Sequence, residues 1–241
     1  MKKAAPWFYY PAELEAGKSG RLSDEEARHA AGSRRLEPGD ALTLFDGSGV
    51  VADALVVAVG SRGRDVAFEV SGTHNASSPA LALHLACALP KGDRLASLLD
   101  MATQLGMSSF TPIDCARSVV KVSENAERRW QRILIEACKQ SRRPYLPIVR
   151  PATRPQVLAE QCQGELWIAH PGGSRPAELS PEAETSLTIM IGPEGGFTEE
   201  EVDAVTAQGA HKVSLGAGIL RTESAAIALL AYARLAFAVD A

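Results

Sequence analysis

Long apolar runs are missing from this 241-residue chain. None approaches the roughly 18 residues that a bilayer span requires, which excludes a transmembrane helix. The start, Met1-Lys2-Lys3-Ala4-Ala5-Pro6-Trp7, lacks the apolar stretch of a signal peptide. The expectation is a cytoplasmic protein without membrane association. Paired cysteines are also missing. Cys87, Cys115, Cys138 and Cys162 lie 28, 23 and 24 residues apart, with no CxxC and no histidine at metal-ligand spacing. A disulfide framework and a zinc site are therefore excluded, no metal is expected, and the thiols read as small buried residues. No GxGxxG, GxxxxGKS or GxxxxGKT follows any strand-like run, so dinucleotide-binding and P-loop readings fail on pattern.

Excess positive charge is absent as well: the net charge is −4, which argues against indiscriminate binding of nucleic acid. The average conceals an asymmetry. Residues 117–154 carry ten Lys/Arg against three Glu, whereas residues 180–203 carry seven acids and no base.

What is present divides into two textures, with the boundary placed between residues 75 and 76. In residues 1–75, Ser23-Asp24-Glu25-Glu26 has capping-box spacing and predicts a helix from Asp24 to about Gly32. Ala41 to Phe45, the turn Asp46-Gly47-Ser48-Gly49 and the β-branched run from Val50 to Val59 read as strand, tight turn, strand. With Val66 to Val70 they suggest a small β-barrel, followed by a linker over Gly72 to Pro79.

From Leu81 onward short apolar strands alternate with segments of helical period, the signature of an α/β domain. Strands are expected at Leu81 to Ala88, Phe110 to Ile113, Leu166 to Ala169, Leu187 to Ile191 and Lys212 to Leu215. Helices are expected at Asp93 to Leu105, Glu124 to Ser141 and Glu223 to Ala238. The helix from Glu124 buries Trp130, Ile133, Leu134, Ala137 and Cys138; Arg128, Arg129, Arg132 and Lys139 fall off that stripe and are expected in solvent. Three strand ends are rich in glycine: His170-Pro171-Gly172-Gly173, Gly192-Pro193-Glu194-Gly195-Gly196 and Gly216-Ala217-Gly218.

Ligands of open α/β sheets sit beyond the carboxyl ends of the strands, where glycine allows close backbone approach. After the second loop, Thr198-Glu199-Glu200-Glu201 forms a capping box that opens a helix. Three consecutive carboxylates there repel a phosphate. A cofactor with an adenosine, no phosphate and a sulfonium cation fits better, and S-adenosylmethionine is such a molecule.

The stretches Ile191 to Phe197 and Ser214 to Ala225 resemble the two signature loops of the bacterial 16S rRNA (uracil-N3) methyltransferases of the SPOUT superfamily. Leu89-Pro90-Lys91-Gly92-Asp93-Arg94, Ala102 to Met107, Arg129-Trp130 through Arg142-Arg143, Ala27-Arg28-His29 and Pro38-Gly39-Asp40 resemble that family in order and spacing. Gln104 stands where the family usually has Glu, Ser224 where Thr is usual, and Trp7 near a start that more often carries Arg. The resemblance implies a PUA-like β-barrel over 1–75 for RNA contact and, over 76–241, an α/β domain with a mainly parallel sheet and a deep trefoil knot. It also implies a homodimer acting on 16S rRNA of the small ribosomal subunit. By the same resemblance, Gly192, Glu194, Gly195, Gly196, Leu215, Gly216, Ile219 and Leu220 line the S-adenosylmethionine site.

Arg221, between the second loop and the last helix, is the candidate to stabilise a uracil anion; anchoring to Glu223 or to a carbonyl is the alternative. The basic stretch Arg128 to Arg143, with Arg142 and Arg143 at its end, reads either as phosphate contacts or as a solvated face. Arg28, His29, Arg34 and Arg35 are candidate RNA contacts from the barrel, which an exposed helix end explains equally well. His84 reads as a core histidine. His170 is open between a loop hydrogen bond and cofactor contact. Two other functions stay in view: a SPOUT enzyme acting on a ribose hydroxyl or a tRNA base, and a non-catalytic RNA-binding assembly factor.

Overall fold

A computed structural model describes residues 4–60, 65–179 and 186–237. The chain forms two compact units, Met1–Ser78 with Cys138–Leu146, and Pro79–Ala137 with Pro147–Ala241. The first unit thus includes a segment from the middle of the chain.

That unit is built on a five-stranded sheet of β1 (Trp7–Tyr9), β3 (Ala41–Phe45), β4 (Val50–Val59), β5 (Val66–Asn75) and β2 (Ser19–Arg21), in that spatial order. β1 runs parallel to β3, and the other pairs are antiparallel. The β3–β4 turn forms because the Asp46 carboxylate accepts from the backbone N–H of Ser48 at 2.7 Å and of Val50 at 3.1 Å. Inward residues Phe8, Leu42, Leu44, Val56 and Phe68 form the core, each large side chain contributing about 1.5–3 kcal/mol. β5 runs on through Asn75 because Gly72 to Asn75 pair with Val50 to Asp53, so the first half of the linker expected over Gly72 to Pro79 is strand.

The expected first helix is α1 (Asp24–Arg28), continued by one wider turn over His29–Ser33. Only half of its capping box forms. Ser23 Oγ accepts from Glu26 N–H, but the Glu26 carboxylate meets Lys139 Nζ at 2.9 Å. Lys139 is 8% exposed, which corrects the expectation that it faces solvent. The helical stripe misplaced it because the last turn of its helix belongs to the first unit, where Glu26, His29 and Phe8 surround it.

The second unit carries a six-stranded, wholly parallel sheet in the order β11 (His211–Val213), β9 (Glu165–Ser174), β10 (Ser186–Ile191), β6 (Ala82–Cys87), β7 (Met107–Pro112), β8 (Ile148–Val149). α2 (Arg94–Gln104) and α6 (Thr222–Phe237) pack against β6, β7 and β10. α3 (Ala126–Ser141) sets Trp130 edge-on to Phe110 at 5.6 Å, worth about 0.5–1.5 kcal/mol beyond area. Side chains alternate along a strand, so Met190, Ile168, Leu166 and Ala86 face the other way. There they form a cluster with Ala159 of α4 (Pro155–Gln161) and with Val202 and Val205 of α5 (Glu199–Thr206).

One strand end differs from expectation. His170 to Gly173 is not a terminal loop but part of β9, which continues to Ser174 and pairs with Val213 after an irregularity. Gly173 makes this possible, because a Cβ there would lie 2.5 Å from the Lys212 backbone. Cys87, Cys115 and Cys138 are buried, and Cys162 is partly so.

Candidate cofactor-binding site

The first glycine loop begins where β10 ends. Pro193 to Gly196 close a turn, with Gly196 N–H donating to Pro193 O at 2.8 Å, and Gly196 holds φ at +70°, a region that glycine enters freely. Gly192 is constrained differently: a Cβ would meet the Phe197 ring at 2.9 Å, and that ring belongs to the apolar cluster under α5.

The loop is held from several sides. Arg117 Nη1 donates to the carbonyl oxygens of Gly195 at 2.8 Å and Phe197 at 3.2 Å. The capping box of α5 forms in full, with Glu201 N–H donating to Thr198 Oγ1 and Thr198 N–H to Glu201 Oε2. The other Glu201 oxygen accepts from Ala116 N–H at 2.7 Å, so this buried carboxylate ties the segment beside Arg117 to the helix start. Arg94 donates to Glu194 at 3.0 Å and lies 3.6 Å from Glu223 of α6. Its own backbone N–H, and then the Thr198 hydroxyl, hold the Glu200 carboxyl below its usual range. The positive end of that helix is thus supplied with its own carboxylates, which leaves no place for a phosphate.

The second loop follows β11. Ser214 N–H donates to Ser174 O, and Ser214 Oγ bonds both the N–H and the carbonyl of Gly216, whose φ is +114°. Beyond it the chain is open: Leu215 and Leu220 are exposed, and Ile219 is 97% exposed. The loop then returns to the first one, because Thr222 Oγ1 donates to Gly192 O at 3.2 Å. The chain that leaves the second loop, which holds Leu215, Gly216, Ile219 and Leu220, is therefore bonded to the first loop, which holds Gly192, Glu194, Gly195 and Gly196. Arg221 sits one residue before the junction with its side chain exposed. Its guanidinium has no partner among the described residues, and Glu223, its possible anchor, is faced by Arg94 instead.

The RNA candidates fall in the first unit. Arg28, Arg34, Arg35 and Arg142 are exposed, and Arg143 is half-buried. Lys139 connects the two groups by bonding both Glu26 and His29 Nδ1, the latter at 3.0 Å. Arg128, Arg129 and Arg132 are exposed on the part of α3 that belongs to the second unit. His170 Nδ1 accepts from Gly172 N–H at 3.1 Å, the loop hydrogen bond of its two readings. Gln104 donates to Asp100 one helical turn earlier at 2.9 Å.

Sequence reasoning missed Arg117 and Arg94. Arg117 stands alone in a loop with no periodicity, and it was counted with the basic stretch. Arg94 carried a signal, as the end of the Leu89 to Arg94 motif, without a role.

A family model described as an RNA methyltransferase domain matches residues 77–234, and one described as an RNA methyltransferase PUA domain matches residues 22–64. The ribosomal RNA small subunit methyltransferase E of Bacillus subtilis (strain 168) is 30% identical over 227 residues, 88% of each chain. Its namesake from Synechocystis sp. is 32% identical over 207 residues, 82% of this chain and 66% of that one. A crystal structure of the Neisseria gonorrhoeae ribosomal RNA small subunit methyltransferase E bound to S-adenosyl methionine is similar with a TM-score of 0.87 at 29% identity, covering 96% of this chain and 98% of that one. The loops joined at Gly192 and Thr222, carried on a parallel α/β sheet in a chain that also holds a PUA-like unit, thus occur in a protein that belongs to the RNA methyltransferase family.

Proposed function

We propose that this protein transfers the methyl group of S-adenosylmethionine to N3 of one uridine in 16S rRNA of the small ribosomal subunit, acting in the cytoplasm as a homodimer. The observation that carries the reading is the junction of the two glycine loops at Gly192 and Thr222, with the unpaired Arg221 beside it.

The residues fit this cofactor on two grounds. Glycine backbone at Gly196 and Gly216 presents peptide groups without side-chain cover, and Leu215, Ile219 and Leu220 offer apolar surface. The acids at the start of α5 oppose a phosphate but tolerate a sulfonium. Gly192, Glu194, Gly195, Gly196, Leu215, Gly216, Ile219 and Leu220 would hold the cofactor, which when bound supplies an electrophilic methyl carbon. The trefoil knot belongs to the same reading: β9 lies between β10 and β11 in space, and the chain after β11 is bonded back to the end of β10.

Uracil N3 becomes a nucleophile on losing its proton to solvent water, and its new bond to the methyl carbon replaces the carbon–sulfur bond of the donor. The Arg221 guanidinium is a cation, so it stabilises the resulting anion and lowers the cost of that ionisation. Arg28, His29, Arg34, Arg35, Arg142 and Arg143 give contacts that place the RNA without reading its sequence. The exposed Leu215, Ile219 and Leu220 supply apolar area for a second copy.

The direct test is incubation of the protein and labelled donor with small subunits that lack the modification, followed by mapping of the methylated base. Label at uracil N3 supports the reading; label on a ribose or on another base, or no label, overturns it. Arg221→Ala is expected to lower turnover by about 10²–10³-fold while calorimetric binding of S-adenosylmethionine is kept. Wild-type turnover in that variant removes Arg221 from the mechanism. Light scattering on the free protein reads the dimer.

A further inference from the structure

The sheet face beneath α4 and α5 is apolar over only part of its extent. Alternation places His84 and Ala86 of β6, Ser109 and Thr111 of β7, and Ser186 and Thr188 of β10 on that face. A parallel sheet covered on both faces is normally apolar there. His84, Ser109, Thr111, Ser186 and Thr188 instead floor a cavity of about 820 Å³, walled by Arg150 to Thr153 and by Val157 and Leu158 of α4.

Its chemistry is that of a donor set. Ser109, 1% exposed, accepts from Arg150 Nε at 3.3 Å and lies 2.7 Å from His84 Nδ1. Arg150 spends only Nε on that bond, and its terminal nitrogens have no partner among the described residues. Burial, and then the charge of Arg150, hold the His84 ring below its usual pKa, in the neutral form. With the Ser109 proton directed to Nδ1, the remaining ring nitrogen is an N–H donor. The Thr188 hydroxyl, which accepts from the Cys162 thiol at 3.4 Å, adds a further donor. Among the described residues no carboxylate lines the cavity, although the chain holds 29 acids. Two observations thus converge: a volume in the range of small-molecule sites, and a lining of hydrogen-bond donors with an apolar wall.

We propose that this cavity is a second ligand site, taking an organic phosphate of nucleotide size with its phosphate on Arg150 and its base against Val157 and Leu158. A planar guanidinium with free terminal N–H groups suits bidentate binding of phosphate. The cavity exceeds what inorganic phosphate fills, which gives the nucleoside part its place.

The test is calorimetric titration of the full chain, saturated with S-adenosylmethionine so that the cofactor loops are occupied, with adenosine 5′-monophosphate and with inorganic phosphate. The expected result is binding of the nucleotide at least tenfold tighter than of phosphate. Arg150→Gln is expected to weaken nucleotide binding at least tenfold, and Arg150→Lys to restore part of it. Arg150 is exposed, so both variants keep the fold. Absence of heat with the nucleotide overturns the proposal, as does equal affinity in Arg150→Gln. Equal affinity for both probes overturns the proposal, because the nucleoside part then has no place in the cavity. Nucleotide binding that appears only without S-adenosylmethionine assigns it to the cofactor loops and overturns the proposal. Because the readout is binding, failure of the methyl-transfer reading leaves this test intact.

Discussion

The two glycine loops differ in how they are held. In the first, the carbonyls of Gly192, Gly195 and Phe197 all accept side-chain bonds, from Thr222 and Arg117. In the second, Ser214 and Gly216 close a small ring, and residues 217–220 form no hydrogen bond among the described residues. One loop is preset and the other adaptable. In the proposed reading the fixed first loop orients the donor in line with its acceptor, and the second loop closes over it.

The largest expected effect breaks the fixed side. Glu201 serves the Thr198 cap and the Ala116 N–H at once, from a buried position. Glu201→Ala leaves two inward backbone donors unsatisfied and is expected to lower unfolding free energy by about 2–4 kcal/mol in urea titration. A loss under about 0.5 kcal/mol would show that the first loop does not depend on this carboxylate.

A smaller effect isolates the loop from the fold. Arg117→Ala removes both bonds to the Gly195 and Phe197 carbonyls without opening the core. It is expected to raise KM for S-adenosylmethionine by about tenfold, with a smaller change in kcat at saturation, because the loss falls on binding geometry. Arg117→Lys should recover part of the difference. A kcat loss with KM unchanged would place Arg117 in the chemistry rather than in the clamp.

These contrasts were only partly legible in the sequence. The glycines at 192, 195, 196 and 216 and the Thr198 box were readable because their causes are local: a turn geometry and a four-residue spacing. Arg117 acts on carbonyls far away in the chain, and nothing within its own segment announces that. Lys139 shows the same limit. Helical periodicity placed it in solvent, whereas its surroundings are Glu26, His29 and Phe8 from the start of the chain. β9 ran past His170 because pairing with Val213 outweighed the turn preference of Pro171-Gly172-Gly173. Arg150, Ser109 and His84 come from three separate elements, and only the sheet register brings them together.

The mildest prediction compares the loops without weakening either. Burial, and then the Glu201 carboxylate, push the Cys115 thiol up to about 12 beside the clamped loop. At pH 8 such a thiol is ionised in roughly one molecule in ten thousand, so iodoacetamide should leave Cys115 unmodified in the folded protein. A cysteine introduced by Ala217→Cys on the exposed second loop should react at the rate of a free thiol. Saturating S-adenosylmethionine should slow the reaction at position 217 by closing that loop, and leave Cys115 as it was. Mass spectrometry of the two peptides reads both rates. Equal rates, or protection at neither position, would mean that the loops do not divide the work between a fixed and a closing wall.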